Sequence, residues 1–509
     1  MYYLLGADIG TSGTKTALYD TAGNLISSAT FSYPLYQERN GWAEQEPADW
    51  WNAVCLGIRK VISDSGVDPA AIKGVGLSGQ MHGLVMLDKE GKVLRKSIIW
   101  CDQRTGEEVR WMDNNVGRDK MISITANPSM TGFTAAKILW VKNNEPEIYE
   151  KCAHILLPKD YIRYMLTGEF ATEVSDASGM QLMDVAHRCW SDEILGAFDI
   201  KKSLLGKMYE SQDVTGCITA KAAELTGLAK GTIVVGGAGD NPAAAIGTGI
   251  YSEGSAFTTI GTSGVVYAVS DEVRIDKDGR VHTLCASVPG KWTVMSCTQG
   301  AGLSLQWLRN QVCTSECAQA EAEHCDPYDI MADLAKDIPI GANGLIYLPY
   351  LMGERSPHPD PDCRGVFFGL SAIHTRAHLI RAVMEGVAYS QGECVDVFAQ
   401  MGVKIDKMLL CGGGARSALW RQMLADIYGC KVHTLASEQG GALGVAILAG
   451  VGAGIYPDIE SACKQMISID KEYLPDSERA AQYRKFMKLY SSLYSVLKDS
   501  WKTLASITE

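Results

Sequence analysis

The pentapeptide Ile9-Gly10-Thr11-Ser12-Gly13 returns 251 residues later as Ile260-Gly261-Thr262-Ser263-Gly264, and the match continues at Ala17/Ala268 and Asp20/Asp271. A repeat of this kind constrains the chain to two similar halves. An apolar run precedes each copy (Tyr2 to Leu5; Ala256 to Ile260) and a β-prone run follows it (Thr16 to Tyr19; Val265 to Val269), which predicts a tight β-hairpin at each glycine pair. Glycine bares backbone N–H groups toward an anion, and the Thr and Ser hydroxyls add short donors. A lone Gly-Thr-Ser-Gly is an ordinary turn; its recurrence in one strand-turn-strand setting points to two hairpins gripping a polyphosphate. Asp8 precedes the first copy where Thr259 precedes the second. Only the first loop therefore brings a carboxylate, as expected if one hairpin positions a metal and the other mainly phosphate.

At 509 residues the chain exceeds one ordinary core and predicts two large domains, 1–248 and 249–509, with the junction near residues 245 to 255. A net charge of −12 without a Lys/Arg run argues against a nucleic-acid surface. No long uncharged apolar run marks a membrane span, and Asp8 follows the start too closely for a secretory leader, so a cytoplasmic location is expected. The 15 cysteines contain no Cys-x-x-Cys pair, and the densest group, Cys313, Cys317, His324 and Cys325, fits no common zinc spacing. No Gly-x-x-x-x-Gly-Lys-Ser/Thr loop occurs. Gly74-Val75-Gly76-Leu77-Ser78-Gly79 has the spacing of a dinucleotide fingerprint, but the strand-like Leu84 to Leu87 follows where that motif needs a helix.

Short apolar runs alternate with amphipathic stretches throughout, an α/β pattern. Strands are predicted at Ile72 to Leu77, Leu84 to Leu87, Ile155 to Leu157, Met408 to Cys411 and Lys431 to Thr434. Helices are predicted at Pro47 to Ser63, Ala135 to Lys142, Ala377 to Gln400, Ala418 to Tyr428, Gly441 to Leu448 and, closing the chain, about Ser477 to Thr503. The sharpest single site is Val234-Val235-Gly236-Gly237-Ala238-Gly239-Asp240-Asn241-Pro242. A strand ends in small residues, and Pro242 suits the first turn of a helix. That places Asp240 at a helix N-terminus, which favours an ionised carboxylate able to accept a proton at neutral pH.

Several separated strings resemble the FGGY carbohydrate kinases, the sugar-kinase branch of the actin-like ATPase superfamily, over about Tyr3 to Leu448. They include Gly132-Phe133-Thr134-Ala135-Ala136-Lys137-Ile138-Leu139-Trp140 and the segment from Gly365-Val366-Phe367-Phe368-Gly369-Leu370 to Glu385. Trp42-Ala43-Glu44-Gln45-Glu46-Pro47, Gly79-Gln80-Met81-His82-Gly83, Leu157-Pro158-Lys159-Asp160-Tyr161 and Gly353-Glu354-Arg355-Ser356-Pro357-His358 are most similar to the members that phosphorylate D-xylulose. The resemblance implies a two-lobed actin-like (ribonuclease H-like) α/β fold, a duplicated domain with a central cleft.

It also implies ATP-dependent transfer of a phosphoryl group to a terminal hydroxyl of a ketopentose, with Mg²⁺. By the resemblance, Asp240 is the general base. Gln80, Met81, His82, Asp102, Asp240 and Asn241 meet the sugar, and Asp8 reaches Mg²⁺ directly or through water. Gly10, Thr11, Ser12, Lys15, Gly261, Thr262 and Ser263 hold phosphate. Gly302 and Gln306 match nucleotide-contacting positions of glycerol kinase. Gly413 and Ser417 match its adenine-side loop, although that enzyme has Asn where Ser417 stands. The implied partners are a small sugar and ATP, with no nucleic acid or membrane; a homodimer stays open. Another sugar kinase of the family, acting on gluconate, ribulose or glycerol, or an actin-like ATPase without sugar chemistry, remain the alternatives.

Overall fold

The two pentapeptides form the tips of equivalent hairpins in two seven-stranded sheets. The computed structural model describes residues 1–436 and 440–508. The first sheet contains Tyr3–Ile9 (β1), Gly13–Asp20 (β2), Leu25–Ser32 (β3), Ile72–Gly79 (β4), Val214–Cys217 (β5) and Ile233–Val235 (β6), in the order β5-β6-β4-β1-β2-β3. A two-residue strand, Ala238–Gly239 (β7), also pairs along β4. The second contains Gly254–Ile260 (β8), Gly264–Ser270 (β9), His282–Cys285 (β10), Trp292–Thr298 (β11), Ile405–Cys411 (β12), Lys431–Leu435 (β13) and Ile469–Tyr473 (β14), in the order β10-β11-β9-β8-β12-β13-β14.

Strand directions repeat with the sequence. β1 pairs antiparallel with β2 and parallel with β4, as β8 does with β9 and β12. The next pairing outward is parallel in both sheets, β4 with β6 and β12 with β13, and an antiparallel strand closes that side. Each hairpin tip is closed by a short backbone bond, Gly10 N–H to Gly13 O (3.1 Å) and Gly261 N–H to Ser263 O (3.1 Å).

Helices cover the sheets where the apolar period demands it. In Pro47–Ser65 (α1), Trp50, Val54, Ile58 and Val61 form one stripe and bury against Leu5, Leu18, Val75 and Leu77 of the first sheet. Arg376–Gln400 packs likewise into the second-lobe core, against Tyr347, Met408 and Leu410. The predicted helices at Pro47 and Ser477 run on to Ser65 and Thr508, and the strand predicted from Leu84 starts at Val85.

Two helices cross the sequence boundary between the halves. Asp240–Gly247 (α2) ends the first half, yet its Ala245 packs with Phe257, Tyr267 and Leu409 of the second sheet. Gly440–Gly452 (α3) comes from the second half, yet Leu443, Val445, Ala446 and Ala449 pack with Leu4, Ala17 and Tyr19 of the first sheet. This exchange explains the glycines of β1 and β4. A Cβ on Gly6 would lie 1.9 Å from the Ala442 carbonyl oxygen, and one on Gly76 would lie 1.9 Å from that of Val445. The fingerprint-like glycines thus admit a helix against a strand and do not cradle a dinucleotide.

The two exchanged helices also touch each other. A Cβ on Gly444 of α3 would stand 1.9 Å from the Ala243 carbonyl oxygen of α2. Gly444→Ala therefore forces backbone apart, and we expect a destabilisation of about 1–3 kcal/mol, the usual cost of overpacking. Gly196→Ala, in a helix with nothing within 4 Å of the new methyl, is the control and should be neutral or stabilising. Thermal unfolding of the two variants checks this; equal melting temperatures contradict the account of the helix contact.

Candidate active site

Register places three chain segments at one edge of the first sheet. Asp8 of β1 lies opposite Ser78 of β4, and Ala238 of β7 pairs with the same Ser78. Ile9 and Gly239 both pair with Gly79, and Gln80 N–H donates to Ile9 O (2.8 Å). These strands are parallel and neighbouring, so the first hairpin, the Gln80–Gly83 turn and the start of α2 all leave from their carboxyl ends. In an open α/β sheet that edge is where ligands bind.

Asp240 is the first residue of α2. Its Oδ1 accepts the Asn241 backbone N–H (2.7 Å) and the Asn241 side-chain amide (3.0 Å). Burial, and then the negative charge of Asp8, raise its pKa to about 7; the Asn241 bonds oppose the shift. The shift lowers the ionised share of the carboxylate at neutral pH below what the helix terminus alone would favour. A helix terminus contributes up to about 2 kcal/mol in a partly buried site, about one and a half pH units of titration, and desolvation beside a second carboxylate outweighs it. Asp8 is itself pushed up by burial, against Ser78 and Lys15, which lower it, and its Oδ1 has no hydrogen-bond partner. Lys15 stands opposite Asp8 across the hairpin.

The adjoining turn is held in an unusual shape. His82 has a φ of 68°, a left-handed conformation that disfavours any residue with a Cβ. Its carbonyl accepts from Lys137 Nζ (2.7 Å) and Thr134 Oγ1 (3.1 Å), while its ring stacks on Phe133 at 4.2 Å. The Gly132–Trp140 string therefore works as the clamp on this turn. His82 Nδ1 lies 3.0 Å from the Gly179 carbonyl, which can only accept, so Nδ1 carries the proton and Nε2 is the acceptor. Burial first, and Lys137 next, hold the imidazole well below its ordinary pKa and neutral. Met81 is buried and wedges between Gly239 and the second-lobe residues Phe257 and Tyr267.

Two residues assigned to the sugar sit behind this surface. Gln80 is 1% exposed and donates to Gln45 Oε1 (2.7 Å), while Gln45 donates to Thr11 O (2.7 Å). Gln80 thus ties the turn to the first hairpin. Asp102 is 0% exposed, and its carboxylate takes the Ala43 N–H (2.6 Å), the Arg104 N–H (2.9 Å) and the Arg104 guanidinium (2.7 Å). It serves Arg104, which stacks on Trp42 at 3.6 Å, and has no face toward a ligand.

A buried charge cluster beneath Asp240 was not legible as a site. Lys159 lies 2.8 Å from Asp160 and 3.3 Å from both Glu173 and Asp176, all essentially unexposed. Glu173 accepts from Ser175 Oγ (2.8 Å), and that hydroxyl accepts from Gly239 N–H (3.3 Å), directly before Asp240. The cluster fixes the backbone from which Asp240 projects.

In the second lobe a cavity of about 680 Å³ opens beside the other hairpin, within the usual volume range of small-molecule sites. Gly261, Thr262, Gly302, Gln306, Gly413 and Ser417 all line it, together with Tyr328, Met331, Ile380, Met384 and Trp420. The helix that starts at Gly302 docks on the hairpin through Gly302 N–H to Gly261 O (2.7 Å). Ser417 caps the Ala418–Tyr428 helix by accepting from Trp420 N–H (3.4 Å). The apolar walls come from three different helices and share no local signal. Ser263 and the first-lobe residues Gly10, Thr11, Ser12 and Lys15 lie outside this cavity. Thr11 instead accepts from the Trp100 indole N–H (2.9 Å).

Among the described residues no group of three or more His, Cys, Asp or Glu side chains is arranged to hold a metal ion, and no helix is long and apolar enough to cross a membrane.

Comparisons with known proteins agree with this geometry. The N-terminal domain of the FGGY family of carbohydrate kinases matches residues 3–247 and its C-terminal domain residues 256–453. The chain is 38% identical over 499 residues to the xylulose kinase of Bacillus subtilis (strain 168), covering 98% of each. Among solved structures it resembles xylulose kinase from Rhodospirillum rubrum (29% identity, TM-score 0.91, 98% of this chain and 100% of that one). It equally resembles gluconate kinase from Lactobacillus acidophilus (28% identity, TM-score 0.91, 99% of both chains). The paired hairpins, the shared sheet edge and these full-length similarities establish that the chain belongs to the FGGY family of carbohydrate kinases, a two-lobed α/β fold of the actin-like ATPase type.

Proposed function

We propose that the protein transfers the γ-phosphoryl group of ATP to a terminal hydroxyl of D-xylulose, giving D-xylulose 5-phosphate. The observation that carries this reading is the convergence of Asp8, the Met81–His82 turn and Asp240 at one sheet edge, in a chain whose curated relatives are xylulose kinases over nearly their full length. Gluconate is the second reading, because a gluconate kinase has the same fold at the same TM-score.

In this mechanism Asp240 accepts the hydroxyl proton through the carboxylate that Asn241 orients. A pKa near 7 suits a group that must take a proton in one step and release it in the next. The neutral His82 offers Nε2 to a sugar hydroxyl, and Met81 packs beside it. The Gly261–Ser263 hairpin and Gly302 hold phosphates, and the 680 Å³ cavity with Gln306, Gly413 and Ser417 takes the nucleoside. Gly10, Thr11, Ser12 and Lys15 meet the same phosphates from the first lobe once the lobes close. Closing also excludes water, so ATP is spared hydrolysis until the sugar is in place.

Mg²⁺ fits this site. Asp8 carries a buried carboxylate oxygen without a partner, a hard ligand of the kind that ion takes alongside phosphate oxygens and water. When bound, the ion neutralises charge on the phosphates.

Two outcomes test the reading. ADP release with D-xylulose, L-xylulose, D-ribulose, gluconate and glycerol should be fastest with D-xylulose, and Asp240→Asn should lower that turnover by roughly 10²–10⁴-fold. A preference for gluconate selects the second reading, and near-normal turnover by the variant removes Asp240 from the chemistry. The raised pKa also has a sign in stability. Between about pH 4 and pH 7 the unfolded chain gives up this proton while the folded protein keeps it, so Asp240 makes the free protein less stable as pH rises. Asp240→Asn should therefore melt higher than the parent at pH 8, without nucleotide or metal, and the gap should close toward pH 4. A lower melting temperature at pH 8 contradicts the buried-carboxylate account.

A further inference from the structure

One charged side chain of the second lobe reaches the sugar turn without yet having a role. The Gly353–Pro357 loop is moored to the end of β11: Glu354 Oε1 accepts from Gln299 N–H (2.8 Å) and Arg355 N–H (2.8 Å), and Ser356 N–H donates to Cys297 O (3.1 Å). Cys297 and Thr298 pair with Val265 and Gly264, the foot of the second phosphate hairpin. Arg355 is thus carried on the flank of that hairpin.

Its guanidinium points into the first lobe. A Cβ on Gly132 would lie 3.7 Å from Arg355 Nη2 and 2.8 Å from the Trp100 carbonyl oxygen. Trp100 binds Thr11 of the first hairpin through its indole, and Gly132 O shares the Lys137 ammonium with His82 O. Arg355 therefore stands where the flank of each hairpin meets the sugar turn, and its charge is felt at His82 and His282. Its guanidinium neighbours the Cys297 thiol and feels the charge of the adjoining Glu354, but among the described residues no carboxylate lies within ion-pair distance of it. Around the transferring group the site gathers negative charge from Asp8, Asp240 and the triphosphate of the proposed substrate, which Lys15 beside Asp8 offsets only in part.

We propose that Arg355 is the cation that pairs with the oxygens of the phosphoryl group while it moves from ATP to the sugar. The inference rests on the phosphoryl-transfer reading above. In that step the sugar oxygen forms its bond to the γ-phosphorus as the bond to the ADP oxygen breaks. The hydroxyl proton passes to Asp240, and the guanidinium keeps its own protons. A planar fork on a moored loop suits oxygens that spread apart in an in-line transfer, as an ammonium does not. Arg355 comes from the opposite lobe to the base and already reaches the sugar turn, so the charge is in place where the two lobes meet.

The test uses the full chain and whichever polyol of the panel the parent phosphorylates fastest. Arg355→Ala should lower kcat by about 10²-fold, the scale for removing one transition-state donor, with the sugar KM changed by less than about threefold. Millimolar guanidinium chloride should restore part of the lost kcat in Arg355→Ala and none in Asp240→Asn. Arg355→Lys should melt with the parent and remain slow. If the alanine variant does not fold, the lysine variant decides: a kcat within about threefold of the parent overturns the proposal. A loss confined to the sugar KM, or no rescue by guanidinium, also overturns it and leaves Arg355 as a tie between lobes. A parent that phosphorylates no polyol refutes the proposed function instead, a result distinguishable from these.

Discussion

The site depends on the parallel register of three neighbouring strands. Because β1, β4 and β7 run the same way and align Asp8, Ser78 and Ala238, the carboxylate proposed to bind metal, the turn proposed to bind sugar and the proposed base emerge within two strand spacings of one another. A slip of one residue in the β1–β4 pairing would turn Asp8 to the opposite face relative to Ser78. The glycines at 6 and 76 secure that register from behind, since they allow α3 to press against the strands at contact distances no side chain permits.

The exchange of α2 and α3 gives the duplicated fold its working form. Each lobe is finished by a helix encoded in the other half, and the two helices meet at Ala243 and Gly444. Asp240 opens one of them. In the proposed mechanism a rotation of the lobes about this contact would move the second hairpin toward Asp240, whose backbone the Glu173–Ser175 network holds. The cavity proposed for the nucleoside is lined wholly by the second lobe, so on this reading nucleotide would bind there first and meet the first hairpin when the lobes close.

What could be read from the sequence was what lies in contiguous strings. The two hairpins, the glycine-rich run to Asp240 and the amphipathic helices carry their signal within a few residues. What could not be read was set by tertiary burial. The resemblance assigns Gln80 and Asp102 to the sugar, yet the fold turns both inward, toward Gln45 and Arg104. Burial first, and then Asp8, 232 residues away in sequence but a neighbour in space, push the Asp240 pKa up to about 7. Lys137, Tyr328 and Trp420 act through helices whose sequences show only an apolar face.

The central claim is that one nucleotide is held between hairpins from opposite lobes with its terminal phosphoryl group directed at a hydroxyl beside Asp240. A structure of the protein with a non-hydrolysable ATP analogue and D-xylulose tests it most directly. The account predicts phosphate contacts from both residues 10–13 and residues 261–263, with a terminal sugar oxygen about 2.6–3.2 Å from the Asp240 carboxylate. Phosphates held by the second hairpin alone in a closed complex, or a sugar whose hydroxyls all point away from Asp240, would contradict it.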